Sequence, residues 1–195
     1  PALAAGITYE LEDPGMRITL PEGLVVFRPE MTDDELAEYG IDAQSMREMF
    51  DGRGIVLYAE DSNAGYKIVV NMSDSPIDSM SELGDDELSE VEAGMREVLE
   101  GYGISLTDTE FYMHSHLKFI KASYFVQSDE GISYAVQYST AYNGKIINII
   151  LNSTLGEITP EHMVIAADIV DSIHFSADPP AEETPAPTPQ HTEAF

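Results

Sequence analysis

Residues 132–152, ISYAVQYSTAYNGKIINIILN, decide the fold class. Side chains alternate at the two-residue period of a strand, with Ile132, Tyr134, Val136, Tyr138 and Tyr142 on one face. The other face carries Ser133, Ala135, Gln137, Ser139 and Ala141, small enough to admit a closely packed helix. Asn143-Gly144 supplies two adjacent residues that tolerate positive φ, the requirement of a type I′ hairpin. The returning strand puts Ile147, Ile149 and Leu151 on one side and Ile146 and Ile150 on the other. A sheet apolar on both faces must be covered on both.

The flanking sequence supplies that cover. Upstream, residues 110–114 and 117–127 read as further strands of a meander. Before them, residues 85–100 carry Leu88, Val91, Met95, Val98 and Leu99 at helical spacing, with acids elsewhere and Gly101 placed for a left-handed cap. Downstream, Thr159-Pro160 places a capping residue before a first-turn proline. The helix it opens has an inner stripe of Met163, Ala166, Ala167, Val170 and Ile173. Near the start, residues 7–11 and 16–20 are short strands around Asp13-Pro14-Gly15, and residues 24–27 form another. Thr32 with Glu35 is a capping box for a helix from Asp33, and Asp42 caps a second piece running to Phe50. Residues 55–59 and 66–72 pair as a hairpin. The expected class is α+β: an α/β/α sandwich with a mainly antiparallel sheet covered by helices on both faces. No internal repeat is present.

Two ends depart from this pattern. Residues 1–6 are small and apolar, and Ala2-x-Ala4 matches the small-residue end of a secretory signal; a signal-peptide remnant and an ordinary start after Met removal are the two readings. From residue 176 to 195 the composition turns to Pro, Ala, Thr and Glu, with five of eleven prolines at 179, 180, 185, 187 and 189. Proline removes backbone donors and favours extended geometry, so this acidic tail reads as a spacer reaching on the order of 60 Å at about 3.1 Å per residue. The folded domain is expected over residues 7–175.

Charge narrows the partners. Among 195 residues, 36 acids face nine bases, a formal charge of −27. Such a chain is repelled by nucleic-acid phosphates and anionic lipid heads. No stretch reaches the ~18 to 20 apolar residues of a spanning helix, so no membrane insertion within this chain is expected. The absence of Cys excludes disulfides, thiolate zinc and iron–sulfur centres.

Two local patterns carry a family resemblance. Ile18-Thr19-Leu20-Pro21-Glu22-Gly23-Leu24 resembles the strand and Pro-Glu-Gly turn of PsbP-like domains, with Leu24 where that family usually has an aromatic. Residues 169–175, Ile-Val-Asp-Ser-Ile-His-Phe, resemble their terminal helix and final strand, ending in Ser-x-x-Phe. The resemblance covers residues 7–175 and is to the exported bacterial branch. It implies an α/β/α sandwich and a binding or assembly role rather than chemistry, with no functional residue carried over.

Candidate chemistry is sparse. His114-Ser115-His116 puts two imidazoles on one side of an extended segment, with Glu110 and Met113 nearby, but no third ligand is supplied. Asp61-Ser62-Asn63-Ala64-Gly65 begins like a calcium loop, yet Met72 stands where an EF-hand needs Glu, and a hairpin turn explains it. Acids concentrate in residues 30–48, which hold seven, and 78–100, which hold nine; solvated helix faces account for them, with a diffuse cation site as the alternative. Gly52-Arg53-Gly54 and Gly101-Tyr102-Gly103 fit turns, and no nucleophile elbow or phosphate loop occurs. Tyr134, Tyr138 and Tyr142 form either core or a ligand groove.

The expected function is therefore a noncatalytic extracytoplasmic module, secreted or anchored at the cell surface, with no catalytic residue, cofactor or metal site assigned. Its expected partner is an unidentified protein or small ligand, with cations favoured by the charge. An unrecognised hydrolase and a low-affinity cation-binding envelope protein are the alternatives.

Overall fold

The computed structural model describes residues 6–61, 65–129 and 131–176. Its elements run β1 (Gly6–Leu11), β2 (Met16–Pro21), β3 (Val25–Phe27), α1 (Asp33–Glu38), α2 (Ala43–Arg53), β4 (Ile55–Asp61) and β5 (Tyr66–Asp74). After a short 3-10 turn at Met80–Glu82 come α3 (Asp85–Gly101), β6 (Ile104–His114), β7 (Leu117–Ser128), β8 (Gly131–Tyr142), β9 (Lys145–Ser153), α4 (Pro160–Asp171) and β10 (His174–Phe175). The proposed leader remnant (apart from Gly6), the 62–64 turn and the tail beyond Ser176 lie outside the described residues.

Seven strands form one antiparallel sheet in the order β3-β4-β5-β9-β8-β7-β6. The remaining strands form a second sheet, β1-β2-β10, also antiparallel. The chain is thus mixed α and β, with antiparallel sheets and four α-helices among the described residues.

Alternation along the strands sorts the core. Leu57, Ile68, Val136, Tyr138, Ile147 and Ile149 belong to one large cluster, which also takes Ile18 and Leu20 of β2, Phe175 of β10, and Ala166, Ile169, Val170 and Ile173 after α4 begins. Cover on this side is shared by a helix and a small sheet, where the pattern of the sequence predicted helices. Residues of opposite parity go elsewhere. Phe27, Phe50 and Ile55 gather with α1 and α2, while Ile120 and Ala141 meet Leu88 of α3 beside Met80. Ala122, Tyr124 and Ala135 form a further small cluster against Met95.

Two β-bulges keep this sorting consistent. Between Leu106 and Asp108 the register shifts, so Leu106 pairs Tyr124 and Thr109 pairs Ala122. Thr107 is the extra residue; it lets Leu106 and Thr109 both face α3 although their numbers differ in parity. A second shift between Ile55 and Leu57 separates those side chains onto different clusters in the same way.

Helix ends follow local chemistry. Thr32 and Glu35 complete a capping box, and Asp42 accepts from the Ser45 amide at 2.8 Å. α2 runs three residues beyond Phe50 and stops at Gly54, φ 60°. At α3 the left-handed residue is Gly103, φ 76°, rather than Gly101, which is the last helical residue. Of the stripe expected on α3, Leu88 is buried, whereas Val98 is 57% exposed. Asn143 and Gly144 take φ 50° and 69°, as a type I′ turn requires.

Candidate functional site

β7 and β8 carry Ser123, Phe125 and Tyr134 out from under α4, and the loop from β9 to α4 rises beside them. Between these parts lies an open cleft of about 810 Å³. Its apolar wall is Tyr124, Phe125, Tyr134, Ala135, Ile158, Pro160 and Met163; Glu157 and the hydroxyl residues Thr107, Ser123 and Thr159 add polar groups, and no Lys or Arg lines it. The Phe125 and Tyr134 rings are 6.0 Å apart, tilted 45°. Thr159 fixes the helix end: its hydroxyl accepts from the His162 amide at 3.2 Å, while His162 Nδ1 accepts from the Thr159 amide at 3.3 Å. Histidine here takes the part usually played by Glu in a capping box.

A polar cluster sits at the other end of α4. Asp171 accepts from the Tyr112 hydroxyl at 2.6 Å, and its Oδ1 lies 3.1 Å from His114 Nδ1. Tyr112 meets the Tyr138 ring edge-on at 5.2 Å. Burial, then the bond to Asp171, raises the Tyr112 phenol well above its ordinary range. Burial, followed by the charges of Glu110 and Asp171, pushes Tyr138 up to about 12. Asp171 can orient His114, leaving Nε2 as the acceptor, an acid–imidazole arrangement with acid–base capability.

The sequence-derived candidates separate. His114 ends β6 and His116 lies in the two-residue turn before β7, with Ser115 at φ 53° between them. They are therefore not a same-side pair on one extended segment, because the tight turn reverses the chain between them. Among the described residues no group of three or more His, Cys, Asp or Glu is placed to hold a metal. The tyrosine series divides too: Tyr134 lines the cleft, Tyr138 is core, and Tyr142 stacks on Phe175 at 3.7 Å. Acids of residues 30–48 and 78–100 are mostly exposed, with Arg47–Asp33 and Arg96–Glu92 as local ion pairs.

Sequence reading missed one feature on the α3 side. Asn148 donates to Asn71 at 2.8 Å and accepts from Ser139 at 2.6 Å and Gln137 at 3.1 Å; the buried Tyr124 hydroxyl donates to Gln137 at 3.3 Å. This row crosses β5, β9, β8 and β7. The signal was available as Asn148, Gln137 and Ser139 interrupting apolar strands.

Comparison with solved structures bears on the whole of this arrangement. The solution structure of cyanobacterial PsbP (CyanoP) from Synechocystis sp. PCC 6803 matches with a TM-score of 0.54 at 14% identity, over 89% of this chain and 94% of that one. The chain has a PsbP-like fold. A crystal structure from Bacteroides thetaiotaomicron matches at TM-score 0.47 and 7% identity, over 82% of this chain and 44% of that one. A Pseudomonas aeruginosa protein of unknown function, described as a putative regulator, matches at 0.41 and 11%, over 95% and 100%. No family model and no curated protein matches the sequence.

The PsbP-like motifs have structural work in this fold. Pro21 closes β2, and Gly23 turns the chain at φ 92°. Ser172 caps α4 and accepts from the Thr19 amide at 2.8 Å, tying the helix end to β2. Phe175 is buried in the main cluster. The Ser-x-x-Phe pattern is thus a staple between helix and small sheet.

Proposed function

We propose that the chain is a noncatalytic binding module of the extracytoplasmic space whose cleft takes a small amphipathic cation. The carrying observation is the composition of the cleft: three aromatic residues (Tyr124, Phe125 and Tyr134), Ile158 and Met163, one carboxylate and no Lys or Arg. Its volume lies in the ~300–1,000 Å³ range of small-molecule sites. Aromatic faces attract cations, and the formal charge of −27 raises their local concentration. The spacer-like, proline-rich composition of residues 176–195 supports placement outside the cytoplasm. The finer architecture, an α/β/α sandwich of the exported bacterial PsbP-like type, is part of the same proposal and is supported by the separate clusters on alternate strand residues.

Phenyltrimethylammonium and its neutral isostere tert-butylbenzene test the ligand class. The cation should bind about tenfold more tightly, and less so as salt rises. Phe125→Ala and Glu157→Gln should each weaken it. Equal affinity for both compounds, or shifts outside the cleft in an amide-resolved NMR titration, would overturn the proposal. Fractionation of the native host tests localisation; a cytoplasmic pool alone would end that part of it.

The Asp171–His114 contact favours a second reading, an unrecognised hydrolase. An ester-hydrolysis activity lost on His114→Ala, with the fold intact, is what it requires. The low-affinity cation reading requires a saturable calcium-specific gain in stability beyond monovalent salt at matched ionic strength.

A further inference from the structure

The strands β5, β7, β8 and β9 have their ends together at one edge of the large sheet, and a second recess of about 310 Å³ opens there. Unlike the cleft, it is polar: Lys67, Ser133, Asn152, Ser153 and Thr154 contribute to its wall, with the backbone of Gly131 and Gly156. The β9–α4 loop separates the two recesses, giving Thr154 and Gly156 to this one and Glu157 to Thr159 to the cleft.

Lys67 is unusual in this chain. Acids outnumber bases 36 to nine, and most of the bases are claimed by carboxylates or a carbonyl. Lys67 is half-buried and makes no ion pair among the described residues. Glu60 lies opposite it in the β4–β5 ladder but accepts instead from the Tyr58 hydroxyl at 2.7 Å. Arg17 and Arg53 also lack an ion pair there, but both are exposed, and Arg17 faces Glu10 across β1–β2.

A second observation comes from Ser153, the last residue of β9. It is only 8% exposed, and its hydroxyl is shielded from solvent with no hydrogen-bond partner among the described residues. A buried hydroxyl in that condition is uncommon in native proteins. Strand alternation puts Lys67 and Asn152 on one sheet face and Ser153 on the other. Ser133 shares the Lys67 face, so the accessible polar groups gather there and Ser153 backs the recess.

We propose that this recess binds a small oxyanion, a carboxylate or a phosphate, with Lys67 as counter-charge and the hydroxyls of Ser133 and Thr154 as donors. Lysine supplies a compact cation, and serine and threonine hydroxyls donate without adding charge. Asn152 can donate through its amide. The recess is too small for a polymer and has no aromatic ring to stack a sugar.

Amide-resolved NMR titrations of the full chain with acetate and, separately, inorganic phosphate test this. Saturable shifts confined to residues 131–133 and 152–156, at millimolar midpoints, are expected from at least one anion; the tighter arm identifies the source. Lys67→Gln should weaken binding about tenfold. Ser153→Ala should leave the affinity nearly unchanged and Tm unchanged or higher, because it removes an unpaired buried hydroxyl that the anion does not touch. The absence of saturation with both anions, or equal affinity in Lys67→Gln, would each overturn the assignment. Failure here leaves the cation cleft untouched, since no cleft residue is altered.

Discussion

The two faces of the seven-stranded sheet solve the same burial problem differently. On the α4 side one continuous cluster ties seven-stranded sheet, three-stranded sheet and helix together, and many of its members are wholly inaccessible. On the other side burial is divided among smaller clusters under α1, α2 and α3, with the Asn71–Asn148–Gln137 row across the strands. The first face gains its stability from area; the second gives up area for a hydrogen-bonded register. Both recesses gather around the β9–α4 loop, away from the densest packing, where side chains are free to meet a ligand.

Substitutions can break this contrast. The largest effect is expected for Phe119→Ala, fully inaccessible in the large cluster, at about 3–5 kcal/mol by chemical denaturation. Leu88→Ala on α3 should cost less, about 2–3 kcal/mol, since its small cluster relaxes more readily. Equal losses would mean the faces do not differ in kind. Asn148→Ala comes next, at about 1–3 kcal/mol, because it removes the donor to Asn71 and the acceptor of Ser139, while Gln137 keeps its bonds to Ser139 and Tyr124. A neutral result would show that the row has no hold on the register.

Alkaline titration reads both faces at once. Tyr138 on one and Tyr124 on the other are each pushed up to about 12, in both cases chiefly by burial. The unfolded phenol titrates near 10, so the native state holds its proton more tightly. This contribution is complete below pH 10 and is lost as pH rises towards about 12. Tyr138→Phe and Tyr124→Phe should each flatten the fall in stability over that window. A slope unchanged in both variants would contradict the burial. The smallest effect is expected from removing residues 177–195: a Tm within about one or two degrees of the full chain. Ser176 should stay, because its amide and hydroxyl both donate to the Gly15 carbonyl, at 2.9 and 2.8 Å.

Most strands and helix starts were legible because their signals are local. Thr32 with Glu35, Thr159 with Pro160, and Asn143-Gly144 each act within four residues, and each lands as read. Strand extent was less legible: β6 begins at Ile104, six residues before the expected start, because Thr107 breaks the alternation from which strands are read. The second sheet was not legible either, since the pairing of Arg17 with His174 spans most of the chain. For the recesses, the sequence offered Tyr134 as a groove candidate, whereas Phe125, Ile158 and Met163 join it only through tertiary packing. Lys67 and Ser153 gave no signal at all; what distinguishes them is the partner each lacks.

The Thr107 bulge also bears on how copies of the chain avoid one another. β6 is an eleven-residue edge, with Phe111 and Met113 48% and 63% exposed, the kind of border onto which another strand can be added. A straight incoming strand can follow it only on one side of the bulge, since the extra residue bends the edge and breaks the ladder. Deleting Thr107 would leave Leu106 opposite Tyr124 and Asp108 opposite Ser123, so every other side chain would keep its face. What it would remove is the kink. The one residue that the pairing does not need is, on this account, what limits edge-to-edge growth of the sheet into oligomers.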